Sequence, residues 1–178
     1  MRKLLSLLTA LLFVGSMWGT EYTVTYTPTS ASAVSKSGTA PIGSTAVLTG
    51  NANFVSPMLQ LTFGKNAVLT LTGYEGCTIT GFKMSMKSNS SKGKGSMTLV
   101  AGTDTLHSVP DANFNSNDWY GAWSTSAVDV DFTSKMTTDY TVDEDENIVI
   151  TVTNHGASNA TNSLYIGSYT ITYETSGG

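Results

Sequence analysis

The stretch CTITGFKMSMKS, residues 77–88, decides the fold. Its apolar side chains change parity part-way along. Cys77 and Ile79 are odd-numbered, Phe82, Met84 and Met86 are even, and Gly81 sits at the switch. Successive side chains of a strand point to opposite faces, so a one-residue slip turns every later side chain over. One extra residue, a β-bulge, keeps both halves facing the same core. The pattern predicts a single long strand over 77–88, bulged at Gly81. The same signature closes the chain. Leu164 and Ile166 are even, Tyr169, Ile171 and Tyr173 odd, with Gly167 between them. Two long bulged strands imply a curved sheet of the jelly-roll kind.

Outward from residues 77–88 the chain continues as short alternating runs separated by turn residues, with no amphipathic helix. Tyr22, Val24 and Tyr26 alternate with threonines and give a first strand. Ser30 to Gly43 is rich in Ser, Gly and Pro and reads as a loop. Thr45 to Leu48, Met58 to Phe63 and Ala67 to Thr72 are the next strands, followed by a turn at residues 73–76. Beyond Ser88 come Ser96 to Ala101, Thr103 to Val109, Val128 to Phe132 and Asn147 to Thr153. In residues 128–132 the apolar Val128, Val130 and Phe132 alternate with Asp129 and Asp131, a strand with one wet face. The run 147–153 is almost wholly β-branched and is expected at a sheet centre. The expectation is one all-β domain over residues 21–178: a single antiparallel β-sandwich of jelly-roll type with about ten strands.

Composition fits that reading. Only 12% of residues are charged, against about 25% in an average soluble chain. Thr, Ser and Gly take their place, as suits pleated strands and turns. The single cysteine, Cys77, excludes an intramolecular disulfide. Its expected role is that of a small buried hydrophobe, since no His or Asn motif accompanies it as for a catalytic thiol.

Residues 1–20 read as a signal peptide. Arg2 and Lys3 precede an apolar run from Leu4 to Val14, followed by the small residues Gly15, Ser16 and Gly19. The run is too short to span a bilayer, and no other run is long enough. Export to the cell surface or the medium is expected, with cleavage after Ser16 or Gly19. Loss of Arg2 and Lys3 takes the formal net charge from −4 to about −6. Nucleic acid is then an improbable partner, because phosphate neutralisation needs a basic surface.

Two stretches resemble a known kind of module: residues 69–99, LTLTGYEGCTITGFKMSMKSNSSKGKGSMTL, and residues 146–173, ENIVITVTNHGASNATNSLYIGSYTITY. They are similar to β-sandwich domains in secreted and cell-surface proteins of Bacteroidetes-type bacteria. The resemblance spans most of residues 60–174 and implies a jelly-roll scaffold like that of a carbohydrate-binding module. It carries no functional residue with it.

The sharpest candidate site is residues 117–123. Trp119, Tyr120 and Trp123 lie among Asn117 and Asp118. Aromatic faces stack on the C–H surfaces of sugars, and Asn and Asp bond hydroxyls. The competing account is that Trp119 and Trp123 share parity and cap one end of the core, since Trp dominates core burial. The acidic run 143–146 lacks a D-x-D-x-D-G calcium loop and reads as a solvated turn. Glu21 and Glu174 lie beside the first and last strands, and since jelly-roll carbohydrate modules often hold a structural calcium near such termini, calcium is the one cofactor the resemblance allows for; no other is expected. The loop 88–95, SNSSKGKG, lacks the P-loop pattern. His107 and His155 have no metal-ligand spacing, and no nucleophile elbow is present. The expectation is a non-catalytic module that binds a polysaccharide or cell-surface glycan, the alternative a structural or adhesive surface protein.

Overall fold

The structure is a computed structural model, and it describes residues 19–120, 124–156 and 162–175. The chain is all-β, with two antiparallel sheets packed face to face. In chain order the strands are β1 (Thr20–Pro28), β2 (Val34–Gly38), β3 (Thr45–Gly50), β4 (Asn53–Val55), β5 (Met58–Leu61), β6 (Asn66–Thr72) and β7 (Cys77–Ser88). They continue as β8 (Lys94–Ala101), β9 (Asp104–Asn113), β10 (Val128–Asp131), β11 (Tyr140–Thr141), β12 (Ile148–Asn154) and β13 (Leu164–Thr175). The first sheet runs β10-β7-β13-β1-β2, with β11 also on β7, β5 on β13 and β4 on β5. The second runs β3-β6-β12-β8-β9. From β6 to β8 and from β11 to β13 the chain crosses between sheets at each step, as a jelly roll does.

The strand over 77–88 forms as predicted and is the central partner of β13. Its bulge sits one residue earlier than expected. Thr172 pairs Gly81 but Tyr173 pairs Ile79, so Thr80 is the extra residue. The second bulge falls on Gly167: Ile166 pairs Met86 and Ser168 pairs Ser85. Each bulge does what the parity change demanded. Ile79, Phe82, Met84 and Met86 on β7, and Ile166, Tyr169, Ile171 and Tyr173 on β13, are all buried. The core they share with Leu69, Leu71, Ile148, Ile150 and Val152 of the second sheet is continuous. β12 is indeed central, flanked by β6 and β8.

The described residues contain thirteen strands rather than about ten. The stretch expected to be one loop from Ser30 to Gly43 holds β2. Only Val34 of that strand is even half-buried, so β2 carries no apolar alternation to read. It exists because β1 offers it a backbone ladder from Val24 to Pro28. β4 and β11 are two or three residues long and form in the same way, on β5 and β7.

The strand polarity defines two ends of the sandwich. One end gathers the start of β1, the end of β13, the start of β7 and the turn at 73–76. The starts of β9 and β12 and the acidic turn lie there too. The other end carries the loops after β1, β7 and β9.

Candidate functional site: a tyrosine-walled cavity at one end

Trp119 lies inside the core with 0% of its surface exposed. Its segment, Asn117–Trp119, is a single 3-10 turn. The indole N–H donates to the Gly95 carbonyl at 3.2 Å. Its ring meets Phe114 edge-on at 5.5 Å and Phe132 at 6.5 Å. The ring therefore presents no face to a ligand, and the core-capping account describes Trp119. The reason is local. Gly93 and Gly95 leave room for Phe114 to fold against β8, where a Cβ at Gly93 would come within 2.8 Å of its ring. That aromatic bed draws the indole in. Tyr120 is half-buried in the left-handed conformation (φ 54°), packs on Phe132 and holds the Lys135 ammonium 4.0 Å above its ring. Asn117 and Asp118 are exposed, and the Asn117 carbonyl accepts from Lys135 Nζ. Trp123 lies outside the described residues. The structure thus does not assemble Trp119, Tyr120, Asn117 and Asp118 as a platform.

Glu21 and Glu174 are directly opposite one another across β1 and β13. Two carboxylates supply few of the six to eight oxygens that Ca²⁺ takes. Among the described residues no group of three or more His, Cys, Asp or Glu converges as a metal site. Glu146 is engaged in its own turn, accepting from the Tyr140 hydroxyl at 2.8 Å and the Asp143 N–H at 3.0 Å. His155 bonds Ser96 Oγ at 2.8 Å. His107 is buried against Phe132, and burial pulls its pKa below the ordinary value.

The concave site lies at the acidic end. An open cavity of about 540 Å³ sits there, against about 220 and 270 Å³ for two others. That is within the size range of small-ligand pockets, about 300–1,000 Å³. Its wall is a pair of tyrosines. Tyr22 and Tyr173 face each other in register on β1 and β13, with ring centroids 5.5 Å apart and stacked. Both point inward by alternation, and Tyr22 lies near the start of β1, where it lines the cavity. Tyr22 is half-buried and Tyr173 fully so. Behind them Tyr74 meets Tyr173 edge-on at 5.3 Å and bonds Tyr26 hydroxyl to hydroxyl at 2.8 Å. The Tyr173 hydroxyl donates to the Thr39 carbonyl at 3.3 Å, tying the rim loop to the wall.

That rim is Thr39 to Ile42, and Ile42 projects fully into solvent. The opposite lip is the turn of Gly73 and Glu75. Gly73 has φ 76° and lies so close to Ser44 that a Cβ would fall 2.8 Å from its Cα, so the turn depends on glycine. Cys77 lies at the floor, almost wholly buried. Burial first, and the Glu75 carboxylate second, push its thiol pKa up, so it stays protonated near neutral pH. Burial also raises the phenols of Tyr74, Tyr26 and Tyr173. The cavity lining offers an aromatic face, the hydroxyls of Thr39 and Thr175, an apolar rim from Ala40 to Ile42 and one carboxylate, Glu75. No motif in the sequence marks the cavity. Tyr22 looks like any inward residue of an alternating strand, and Ile42 like any residue of a polar loop.

No family model matches the chain, and no curated protein matches it. Among solved structures, a family two carbohydrate esterase from Cellvibrio japonicus is similar over 76% of this chain and 36% of that one, at 7% identity and a TM-score of 0.35. The chain thus spans about a third of that protein's length. Neither activity nor ligand is carried over from it.

Proposed function

We propose that the chain is an exported, non-catalytic module that binds a saccharide, a glycan or surface polymer, in the cavity walled by Tyr22 and Tyr173. One observation carries this: a half-buried tyrosine ring, backed by a second ring, forms the wall of an open cavity otherwise lined by Thr39, Thr175, Gly73, Cys77, the apolar rim Ala40 to Ile42 and one carboxylate. A sugar presents C–H faces to such a ring and hydroxyls to groups like Thr39, Thr175 and Glu75. Export rests on the pattern of residues 1–20; cleavage at either site leaves β1, which starts at Thr20, intact.

The test is a screen of neutral, amino and acidic polysaccharides by affinity electrophoresis, with Tyr22→Ala as the control. Tyr22 is only half-buried, so the variant is expected to fold. Retardation by at least one polymer, lost in Tyr22→Ala, is the expected result. A silent screen, or binding untouched by Tyr22→Ala, removes the reading.

A second reading, an assembly or adhesive subunit, is favoured by the edge strand β3. Its sequence, Thr45-Ala46-Val47-Leu48-Thr49-Gly50, contains neither charge nor proline, and among the described residues its one partner within the sheet is β6. Natural edges are usually protected by such residues. Sedimentation that shows oligomers, abolished by Val47→Lys, would support this reading. A monomer at high concentration would end it.

A further inference from the structure

We propose that the cavity selects a cationic saccharide, one bearing a protonated amine, over neutral and acidic ones. The inference rests on reading this cavity as a saccharide site.

The charges of the chain are segregated along the strand direction. Glu21, Glu75, Glu174, Asp104, Asp139 and the run 143–146 all lie at the cavity's end. Glu21 opposes Glu174, and Asp104 opposes Ala101, itself paired with the first residue of β12. The Asp139 N–H donates to Ile79, and Gly76 and Gly102 bond Val142 and Asn147 on either side of the acidic turn. These are nine of the thirteen acidic residues. None of the described lysines joins them. Lys36 pairs opposite Tyr26, towards the far end of β1, and Lys83 stands mid-strand in a salt bridge with Asp131. Lys135 lies over Tyr120, while Lys65, Lys87, Lys92 and Lys94 sit at the opposite end.

A cleft lined by one sign of charge raises the local concentration of the opposite sign. Glu75 is the carboxylate in the lining itself, and its influence already reaches the floor, where it helps hold the Cys77 thiol neutral. The other carboxylates at this end of the sandwich add to the same field, which salt screens over about one Debye length, about 8 Å at physiological ionic strength. The exposed tyrosine face adds to the preference. Its quadrupole is negative, so it attracts an ammonium group as well as C–H bonds. A uronate or sulfated sugar would meet the same field as repulsion. It would find no described lysine near the cavity to pair with.

Calorimetry with glucosamine oligosaccharides and their N-acetylated counterparts of equal length isolates the charge, because the rings are otherwise alike. At about pH 6 the amine is protonated. The amine series is expected to bind about 3- to 10-fold tighter at low salt, a ratio that falls towards one at about 0.5 M NaCl. Glu75→Gln should collapse the same ratio while retaining binding, and Tyr22→Ala should abolish both. Equal or tighter binding of the N-acetylated series overturns the charge preference and leaves the saccharide site standing. If neither series binds but a neutral polymer from the screen does, the preference is likewise refuted. If the screen is silent too, both proposals fall. Amine binding that survives Tyr22→Ala places the interaction elsewhere on the acidic surface and also refutes the inference.

Discussion

Replacing Trp119 by alanine separates a core residue from a binding platform. The indole is wholly buried, edge-on to Phe114 and Phe132, with its N–H on the Gly95 carbonyl. Truncating a buried Trp to Ala costs about 3–5 kcal/mol, because transfer energy is lost and a cavity remains. The Gly95 carbonyl loses its indole donor as well. For a domain of this size each kcal/mol moves Tm by about 2–4 °C, so the midpoint should fall by about 6–20 °C. The assay is thermal unfolding followed by far-UV circular dichroism, with near-UV spectra at low temperature reporting the aromatic packing. Trp119→Phe keeps much of the ring but drops the N–H, and should lie between the parent and the alanine variant. It serves if Trp119→Ala fails to fold. A platform residue would behave in the opposite way, losing ligand at unchanged Tm. If Trp119→Ala shifts Tm by less than about 3 °C, the indole is not holding the core.

Two further outcomes follow from the same packing. His107 has its folded pKa lowered, first by burial and then by the Lys135 charge, partly offset by a backbone hydrogen bond to Lys135. The unfolded chain therefore binds a proton at His107 before the folded one does. Stability should fall as pH drops below about 6.5 and be unaffected by this group above about 7.5. Denaturant melts of His107→Gln across that range should show a flatter acid limb, and an unchanged limb would contradict the burial. At Gly95 a Cβ would stand 2.5 Å from the Thr153 carbonyl oxygen and 2.9 Å from the Phe114 ring. Gly95→Ala should thus cost about 1–3 kcal/mol through overpacking; a denaturation midpoint equal to the parent's would show that β8 has more room than the structure gives it.

Much of the sandwich was legible because strand alternation is a local property of the backbone. The parity changes in residues 77–88 and 164–173 located two bulges, one on the expected residue and one a single position away. Alternation says which way a side chain points but not what lies opposite, so it could neither choose between the two accounts of Trp119 nor mark Tyr22 as a cavity wall. In the sequence Trp119 fits both an exposed platform among polar neighbours and a core cap; the structure buries it because Gly93, just before β8, and Gly95, on β8, make space for the ring stack. Tyr22 looks like its strand neighbours Val24 and Tyr26, yet it is only half-buried where they are fully so.

By itself the sequence determined the strands that carry apolar alternation, the inward-facing set and the acidic balance of the chain. Tertiary structure alone decided which end of the sandwich stays open and which side chains line it. It also decided that β2, with almost no buried residue, is a strand at all. The physical reason is that cover at the ends of a sandwich, and backbone pairing at its edges, come from segments far apart in the chain. The segregation of charge has the same origin. Carboxylates scattered from Glu21 to Glu174 meet only because antiparallel pairing brings the starts and ends of those strands to one end.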